Sequence, residues 1–487
     1  MTPDFPVPPV SISVLLPALI VLVTGALVLL LDLLPPHDSK AHLGGVALMG
    51  LVAAMLAIIA RWVAGTEERA FRDMILLDRY ALFFDVIIGY AAALIVMLSM
   101  DYLGRTGGES GEYYALVLFA TAGMMLMASA GDLIVVFLSL ELMSLSLYVL
   151  AGLFKTRLTS GEASMKYFLL GAFASSFLLY GIALIYGATG STNLDRIAAS
   201  AAARNGDPLI LVGLALLLVG FGFKISSVPF HMWVPDVYEG APTSITALIA
   251  TGSKAAAFAA LIRVLVVALR GVQPDWTALL WGLAALTMTV GNVVALAQTN
   301  LKRMLAYSSI AHAGYMLMGL VAGGAPGAGA ILFYLLAYTF TTVGAFGVIS
   351  LCARADEEAV EVGDYAGLAR RHPWLAATLA LFLLSLVGIP PLAGFVAKFY
   401  LFGSAVRAEY LWLTVLAVLN SAIAAYYYLR VIVYMYMREP EGEGVAVAPS
   451  LASGLALAIA LVGIVLLGII PAPFADLAQA AVAPLLR

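Results

Sequence analysis

Four ionisable side chains lie inside apolar runs long enough to cross a membrane. They are Glu141 in VVFLSLELMSLSLYVL, Lys224 in LLVGFGFKISSVPFHMW, Lys254 in TALIATGSKAAAFAALI and Lys398 in LVGIPPLAGFVAKFYLF. A charge at the centre of a spanning helix costs roughly 2.5–3.5 kcal/mol on insertion scales, so the four together approach about 10 kcal/mol. Any one of them alone could snorkel to an interface or sit in a static ion pair. The set as a whole is harder to explain that way. Desolvation lowers the proton affinity of an amine and a nearby carboxylate raises it, so a lysine between those influences can gain and lose a proton near neutral pH. Arginine could not. Proton transfer is therefore the chemistry that these residue types suit.

Other polar groups could extend such a path. His312, in AYSSIAHAGYMLMG, could relay protons with Tyr307, Ser308 and Ser309, although a histidine packed between helices reads equally well. His231 opens the connection HMWVPDVYEGAPTS, with Asp236, Tyr238 and Glu239. Turn and capping chemistry accounts for most of that stretch; the functional alternative is a polar entrance for protons. The run Tyr426, Tyr427, Tyr428 reads as an interfacial aromatic belt rather than a site.

Two of the lysines sit beside helix breakers. Pro390 and Pro391 remove two backbone donors and crowd the preceding turn, which predicts a break at Gly388–Pro391. Around Lys224 stand Gly220, Gly222, Ser226, Ser227 and Pro229. Non-helical backbone at this depth is tolerated only inside protein or against a wet cavity. Gly220-Phe221-x-x-Lys224 and Gly394-Phe395-x-x-Lys398 share a short pattern in runs five spans apart, hence antiparallel. Two broken helices in opposite orientation point to an inverted repeat built around a transport path.

The elements that must position these groups are membrane helices. The chain has 487 residues, 63% hydrophobic and 11% charged, with a mean hydropathy of +1.02. Apolar runs predict about fourteen spans, near 13–34, 43–62, 81–100, 113–130, 132–153, 164–188, 208–230, 242–268, 276–298, 304–322, 328–352, 374–403, 409–437 and 451–470. The expected fold is an all-α polytopic membrane protein forming a single membrane domain, 1–487. Its parts are three N-terminal helices (1–112), a first repeat of helices 4–8 (113–270), a second, inverted repeat of helices 9–13 (276–437), and helix 14 with a tail (451–487). Asp132, after Gly131, is an expected N-cap, and Pro242 suits a first helical turn.

The net charge of −4 gives no case for nucleic-acid binding. One cysteine, Cys352, excludes an internal disulfide, and no cysteine cluster offers zinc or iron–sulfur ligation. No nucleotide-binding glycine motif is present. MTPDFPVPPV lacks the basic region of a signal peptide, so the first apolar run reads as a retained span. Lys40, Lys155, Lys166, Lys302, Arg370, Arg371 and Arg438 fall on one side of the span count, which predicts that side as cytoplasmic and both termini as external. Arg61, Arg69, Arg72 and Arg79 crowd an outer loop against that rule.

With these residues in view, the sequence resembles the antiporter-like membrane subunits of respiratory complex I, and among them the subunit N branch of bacterial NADH:quinone oxidoreductase. The resemblance covers nearly the whole chain and is most specific in FLSLELMSLSLYVLAG, GFGFKISSVPFHMWVPDVYEGAPT, TGSKAAAFAALIRVL, NLKRMLAYSSIAHAGYMLMG and GIPPLAGFVAKFY. It implies that Glu141 pairs with Lys224 on broken helix 7, that Lys254 is the middle group on helix 8, and that Lys398 completes a polar axis on broken helix 12. Lysine at 254 and 398, and a chain that stops soon after the last span, separate this branch from its paralogues.

The resemblance further implies a proton-translocating subunit coupled to quinone reduction in the bacterial cytoplasmic membrane. No cofactor is then expected in this chain; NADH, FMN, iron–sulfur clusters and quinone would belong to partner subunits. The expected partners are other complex I membrane subunits, including a second antiporter-like subunit, and the lipid bilayer. A subunit of an Mrp-type sodium/proton antiporter or a membrane-bound hydrogenase is the alternative, and a structural membrane scaffold a second one.

Overall fold

A computed structural model describes residues 11–34, 40–106, 108, 110–203, 206–354, 357–439, 445–447 and 450–486. Among them, thirteen helices are long and apolar enough to cross a membrane. Spans 1–7 are Leu16–Asp32, Ala41–Ala64, Arg79–Thr106, Gly111–Ala128, Leu133–Ala151, Leu158–Thr189 and Pro208–Ile225. Span 8 is Thr243–Ala268, and spans 9–11 are Gln273–Ala295, Leu301–Ala322 and Gly324–Leu351. Spans 13 and 14 are Leu411–Met437 and Leu451–Ile469. The expected twelfth span is two short helices, Pro373–Val387 and Ala393–Arg407. The termini assigned to the outer face, residues 1–10 and Arg487, lie outside the described residues.

Local signals set the helix ends. The Asp132 side chain accepts from the Ile134 N–H at 2.8 Å, as an N-cap should. Asp207 and Asn300 cap spans 7 and 10 in the same way. Pro242 is the N-cap of span 8, one residue earlier than its expected place in the first turn. Span 7 ends at Ile225, earlier than the expected 230, because Ser226 takes a left-handed conformation.

The layering is concentric. Every residue in the apolar window of span 8 is buried, and spans 10 and 11 are almost as enclosed, whereas spans 1, 2, 6, 9, 13 and 14 turn most of their surface outward. Span 8 is also irregular. Ile249–Ser253 and Val264–Ala268 are π-helical turns that flank the regular segment Lys254–Arg263. Such turns are rare and concentrate at functional sites. Close backbone approach between spans 9 and 10 depends on glycine: a Cβ on Gly314 would come within 2.4 Å of the Met288 nitrogen.

Two elements depart from the expected plan. Residues after span 14 form a further helix, Ala472–Val482, packed on spans 3 and 11, where a tail was expected. The connection after span 11 forms a small antiparallel sheet, Cys352–Arg354 with Glu357–Glu358 and Ala446–Val447. That sheet delivers Glu358 into the helical body. Its carboxylate accepts from Lys302 Nζ at 3.2 Å, from Thr243 Oγ1 at 2.6 Å and from the Tyr102 hydroxyl. Burial alone would raise this carboxyl, but Lys302 and the two hydroxyls hold it below its ordinary value.

A depressed carboxyl stabilises the fold above the unfolded value, about 4.3 for glutamate, and that contribution disappears as pH falls through the folded value. Breaking one side of such a buried pair costs about 3–5 kcal/mol, because the remaining charge is left without a partner. Glu358→Gln is therefore expected to lower the thermal inactivation temperature of the assembled complex at neutral pH. An unchanged melting profile would show that Lys302 does not depend on this carboxylate.

Candidate proton-transfer axis

Each buried lysine is held by a different kind of partner. Lys224 lies in the last turn of span 7, and its Nζ has no hydrogen-bond partner among the described residues. It faces three rings instead: Tyr167 at 5.1 Å, Tyr148 at 5.3 Å and Phe223 at 5.5 Å from Nζ to centroid. Well-placed rings can each be worth up to roughly 2 kcal/mol to a desolvated cation. Tyr167 also stacks on Trp233 at 4.5 Å, which braces the cage from the connection that follows the break.

The expected Glu141–Lys224 ion pair is not formed in this arrangement. Glu141 accepts instead from Ser175 Oγ at 2.5 Å. It remains within coulombic reach of Lys224. Glu141 and Tyr148 are seven residues apart on span 5 and so share a face, which places the carboxylate and one wall of the cage together.

Lys254 follows the first π-helical turn of span 8 and reaches across to span 10. Its Nζ donates to the Ser309 carbonyl at 2.7 Å and to Ser309 Oγ, and lies 5.8 Å from the Tyr338 ring centroid. Tyr238, from the HMWVPDVYEGAPTS connection, meets the same Ser309 hydroxyl at 3.2 Å.

Lys398 is the most fully hydrogen-bonded of the three. Its Nζ meets the carbonyls of Leu386 at 3.1 Å and Val387 at 2.8 Å, and Ser421 Oγ at 2.7 Å. The span 12 break falls where the prolines require it. Gly388 has φ +93° and closes the first half-helix, and the second begins at Ala393. The carbonyls freed there are answered by the lysine itself, which complements the negative end of the first half-helix. Gly394 is needed for the fold-back, since a Cβ there would lie 1.8 Å from the Ser385 carbonyl oxygen.

The shared Gly-Phe-x-x-Lys pattern does not mark equivalent places. Lys224 precedes its break, whereas Lys398 follows its own. Gly220 makes room for Leu178 of span 6 and Gly394 for Ser385 of its own span, so the two glycines answer different packing needs.

A buried polar cluster lies beside the lysines of spans 8 and 12. Ser308 Oγ hydrogen-bonds the Tyr428 hydroxyl, which also lies 3.3 Å from His312 Nε2. His312 Nδ1 is 2.6 Å from the Tyr334 hydroxyl. The Tyr427 and Tyr428 rings pack 4.4 Å apart, and Tyr427 donates to Asn292 Oδ1 at 3.0 Å; Asn292 Nδ2 donates to the Tyr315 hydroxyl at 3.0 Å. The Tyr315 ring lies 5.2 Å below Lys398 Nζ.

This corrects the reading of the tyrosine run: Tyr426 faces outward, but Tyr427 and Tyr428 are enclosed in the cluster. His312 belongs to it, as does Ser308; Ser309 meets Lys254 and Tyr238 instead. Tyr307 does not, since it is half-buried and its hydroxyl has no hydrogen bond among the described residues. His231 lies in the bend after Lys224, half-buried, with Nδ1 unpartnered among the described residues. Burial lowers its imidazole, against a hydrogen bond to the Pro229 backbone that raises it. Asp236 and Glu239 are tied to Arg303 at 2.7 and 2.8 Å, and Asp236 also to Lys166 at 2.6 Å. Both carboxylates of the expected entrance therefore serve a half-exposed clamp.

Residues 130–424 match the family described as NADH:quinone oxidoreductase/Mrp antiporter, TM. The chain is 50% identical to NADH-quinone oxidoreductase subunit N of Trichlorobacter lovleyi over 475 residues, 97% of each chain. Its fold is similar to a chain of respiratory complex I from Thermus thermophilus with bound aureothin. That match has a TM-score of 0.81 and 39% identity, and covers 94% of this chain and 98% of the other. It is also similar to a chain of the Mrp complex from a Dietzia species, with a TM-score of 0.86 and 24% identity over 98% and 97% of the two chains, a likeness of fold.

Proposed function

Because the chain belongs to the NADH-quinone oxidoreductase subunit N family, the antiporter-like proton-translocating membrane subunits of respiratory complex I, we propose that Glu141, Lys224, Lys254 and Lys398 carry its protons. Such a chain works as one membrane subunit of a translocase. NADH, FMN, iron–sulfur clusters and quinone belong, in this reading, to partner subunits, and a second antiporter-like subunit is among the membrane neighbours. The lysine-rich face, with Lys40, Lys155, Lys166 and Lys302, is cytoplasmic and both termini are external.

The observation that carries the proposal is the placement of Lys254. It sits on the enclosed span 8, beside a π-helical turn, and is hydrogen-bonded to Ser309 of span 10, the residue next to the buried Ser308–Tyr428–His312 cluster. In this reading a proton reaches Lys224 from the side of the break and His231. Glu141 sets how firmly it is held there: a carboxylate that leaves Ser175 and approaches the cage favours the ammonium, and one that withdraws favours release. The proton then passes to Lys254, and from there to Lys398 and the opposite face.

Glu141→Gln keeps the shape and the Ser175 hydrogen bond but removes the charge. Proton translocation and coupled quinone reduction should both fall by about an order of magnitude in a complex that still assembles. Full coupled activity of the assembled variant would reject the role of Glu141. Partial purification of the native assembly discriminates the Mrp alternative: flavin and iron–sulfur subunits should co-purify with this chain.

A further inference from the structure

Span 6 stands between Glu141 and Lys224. Spans 5 and 7 both pack on it, the first carrying the carboxylate and the second the lysine. The span 6 residues that meet them are Tyr167, Gly171 and Ser175, four apart and so on one face. Tyr167 is a wall of the Lys224 cage. Gly171 has no side chain, and the space a Cβ would need there holds the Tyr148 hydroxyl. Ser175 donates to Glu141 at 2.5 Å. Gly220 of span 7 packs on Ala174 and Leu178, and the two spans are antiparallel. Lys224, one turn past Gly220, therefore falls level with Gly171, about one helical turn (roughly 5.4 Å) from Ser175.

The Ser175 hydrogen bond departs from the habit of a mid-helix serine. Ser176, beside it, turns its hydroxyl to the Ala172 carbonyl four residues back, and Ser144 and Ser146 of span 5 do likewise. Ser175 donates to another span instead. Glu141 is thereby held a turn away from an ammonium that has no hydrogen-bond partner among the described residues. The Tyr148 hydroxyl has none either, and it stands on the step between them. It can donate to a carboxylate that has left Ser175.

We propose that Ser175 is a positioning residue that latches Glu141 away from Lys224. Two donors, the Ser175 hydroxyl and the Lys224 ammonium, compete for one carboxylate, and the Tyr148 hydroxyl receives it beside the ammonium when it crosses. With Glu141 latched, the rings alone hold the ammonium and the proton can leave; with Glu141 at the cage, the proton stays. The inference rests on the proposal that Glu141 and Lys224 handle protons, and adds the residue that decides which of the two states is occupied.

The titratable groups around Lys224 are Glu141 and Tyr148 from span 5, Tyr167 from span 6 and His231 in the bend after span 7; Lys254 of span 8 is turned to Ser309. Among the described residues, Glu141 is the charged side chain within coulombic reach of the ammonium. Loss of the latch therefore acts on Lys224 through Glu141.

The test uses the whole purified complex in proteoliposomes and follows coupled NADH oxidation as a function of pH. Ser175→Ala frees the carboxylate to stay beside the ammonium, so Lys224 gives up its proton only at a lower proton concentration. The rate at neutral pH should fall several-fold, and the profile should move by about one unit towards alkaline pH, where the rate recovers. Ser175→Thr keeps the hydroxyl and should keep the native profile. A native profile in Ser175→Ala, a loss of rate equal at every pH, or a threonine variant shifted as far as the alanine variant would overturn the latch. A Glu141→Gln, Ser175→Ala double variant separates the latch from the reading it rests on. Its profile should match that of Glu141→Gln alone; a further shift would mean that Ser175 does not act through Glu141, and would overturn the latch. Native activity of Glu141→Gln by itself would instead reject the role of Glu141.

Discussion

Lys254→Ala should leave the complex assembled and slow coupled NADH oxidation by at least about tenfold, since a positioned proton carrier typically contributes roughly a hundredfold or more. The size of the effect follows from where the lysine sits. Span 8 is enclosed on all sides, Ser309 is the oxygen partner of Nζ, and Tyr338 covers it. Alanine would remove the middle titratable group of the proposed axis and leave the Ser309 hydroxyl facing a void. Lys254→His should restore part of the rate, because imidazole also carries protons near neutral pH. The measurement is the NADH oxidation rate in coupled vesicles with and without an uncoupler. A Lys254→Ala complex at the native rate in both conditions would remove this residue from the pathway.

The second large effect is expected at Lys398. Its ammonium satisfies the Leu386 and Val387 carbonyls at the end of the first half of span 12, as well as Ser421. Lys398→Ala therefore removes a proton carrier and also exposes helix-end carbonyls inside the membrane domain. Pumping should fall about as far as in Lys254→Ala, by roughly tenfold or more. Thermal stability should fall as well, by a few kcal/mol, since hydrogen bonds to a charged group are worth about 1.5–3 kcal/mol each and only part is recovered by relaxation or water. The same substitution at Lys224 should be gentler on stability, because no hydrogen bond is lost there. Thermal inactivation of the two variant complexes, measured side by side, checks that order. Equal stability losses would mean that the span 12 carbonyls do not rely on the lysine.

The reasons for these expectations were unequally legible in the sequence. The helices were readable because each must meet the hydrocarbon with about 20 apolar residues, and the span 12 break because Pro390 and Pro391 admit no regular helix. The four charged positions stood out for the same energetic reason. The partners of those charges were hidden. Tyr148 could have been found from its seven-residue spacing after Glu141 on one helix face. The aromatic cage as a whole draws on spans 5, 6 and 7, and its members look like ordinary core residues one at a time.

The Asn292 bridge joins spans 9, 10 and 13, and a single asparagine in WGLAALTMTVGNVVALAQ carries no local sign of those contacts. The π-helical turns flanking Lys254–Arg263 likewise have no breaker residue to announce them. Glu358 lay in a connection read only as polar, because the two-residue strand that carries it is too short to show a strand pattern. The tyrosine run was misread for a different reason: consecutive residues on a helix point in different directions, so Tyr426 meets the exterior while Tyr427 and Tyr428 meet the cluster.

The central claim is that the buried lysines exchange protons rather than serve as fixed charges. It is tested most directly by the ratio of protons translocated per NADH oxidised in proteoliposomes containing the Lys398→Arg complex. Arginine keeps the positive charge and can donate to the same carbonyls, but it does not release its proton at physiological pH. The account predicts an assembled complex with a ratio clearly below the native value. A native ratio in the Lys398→Arg complex would mean that Lys398 is a structural charge at the span 12 break, and would contradict the account.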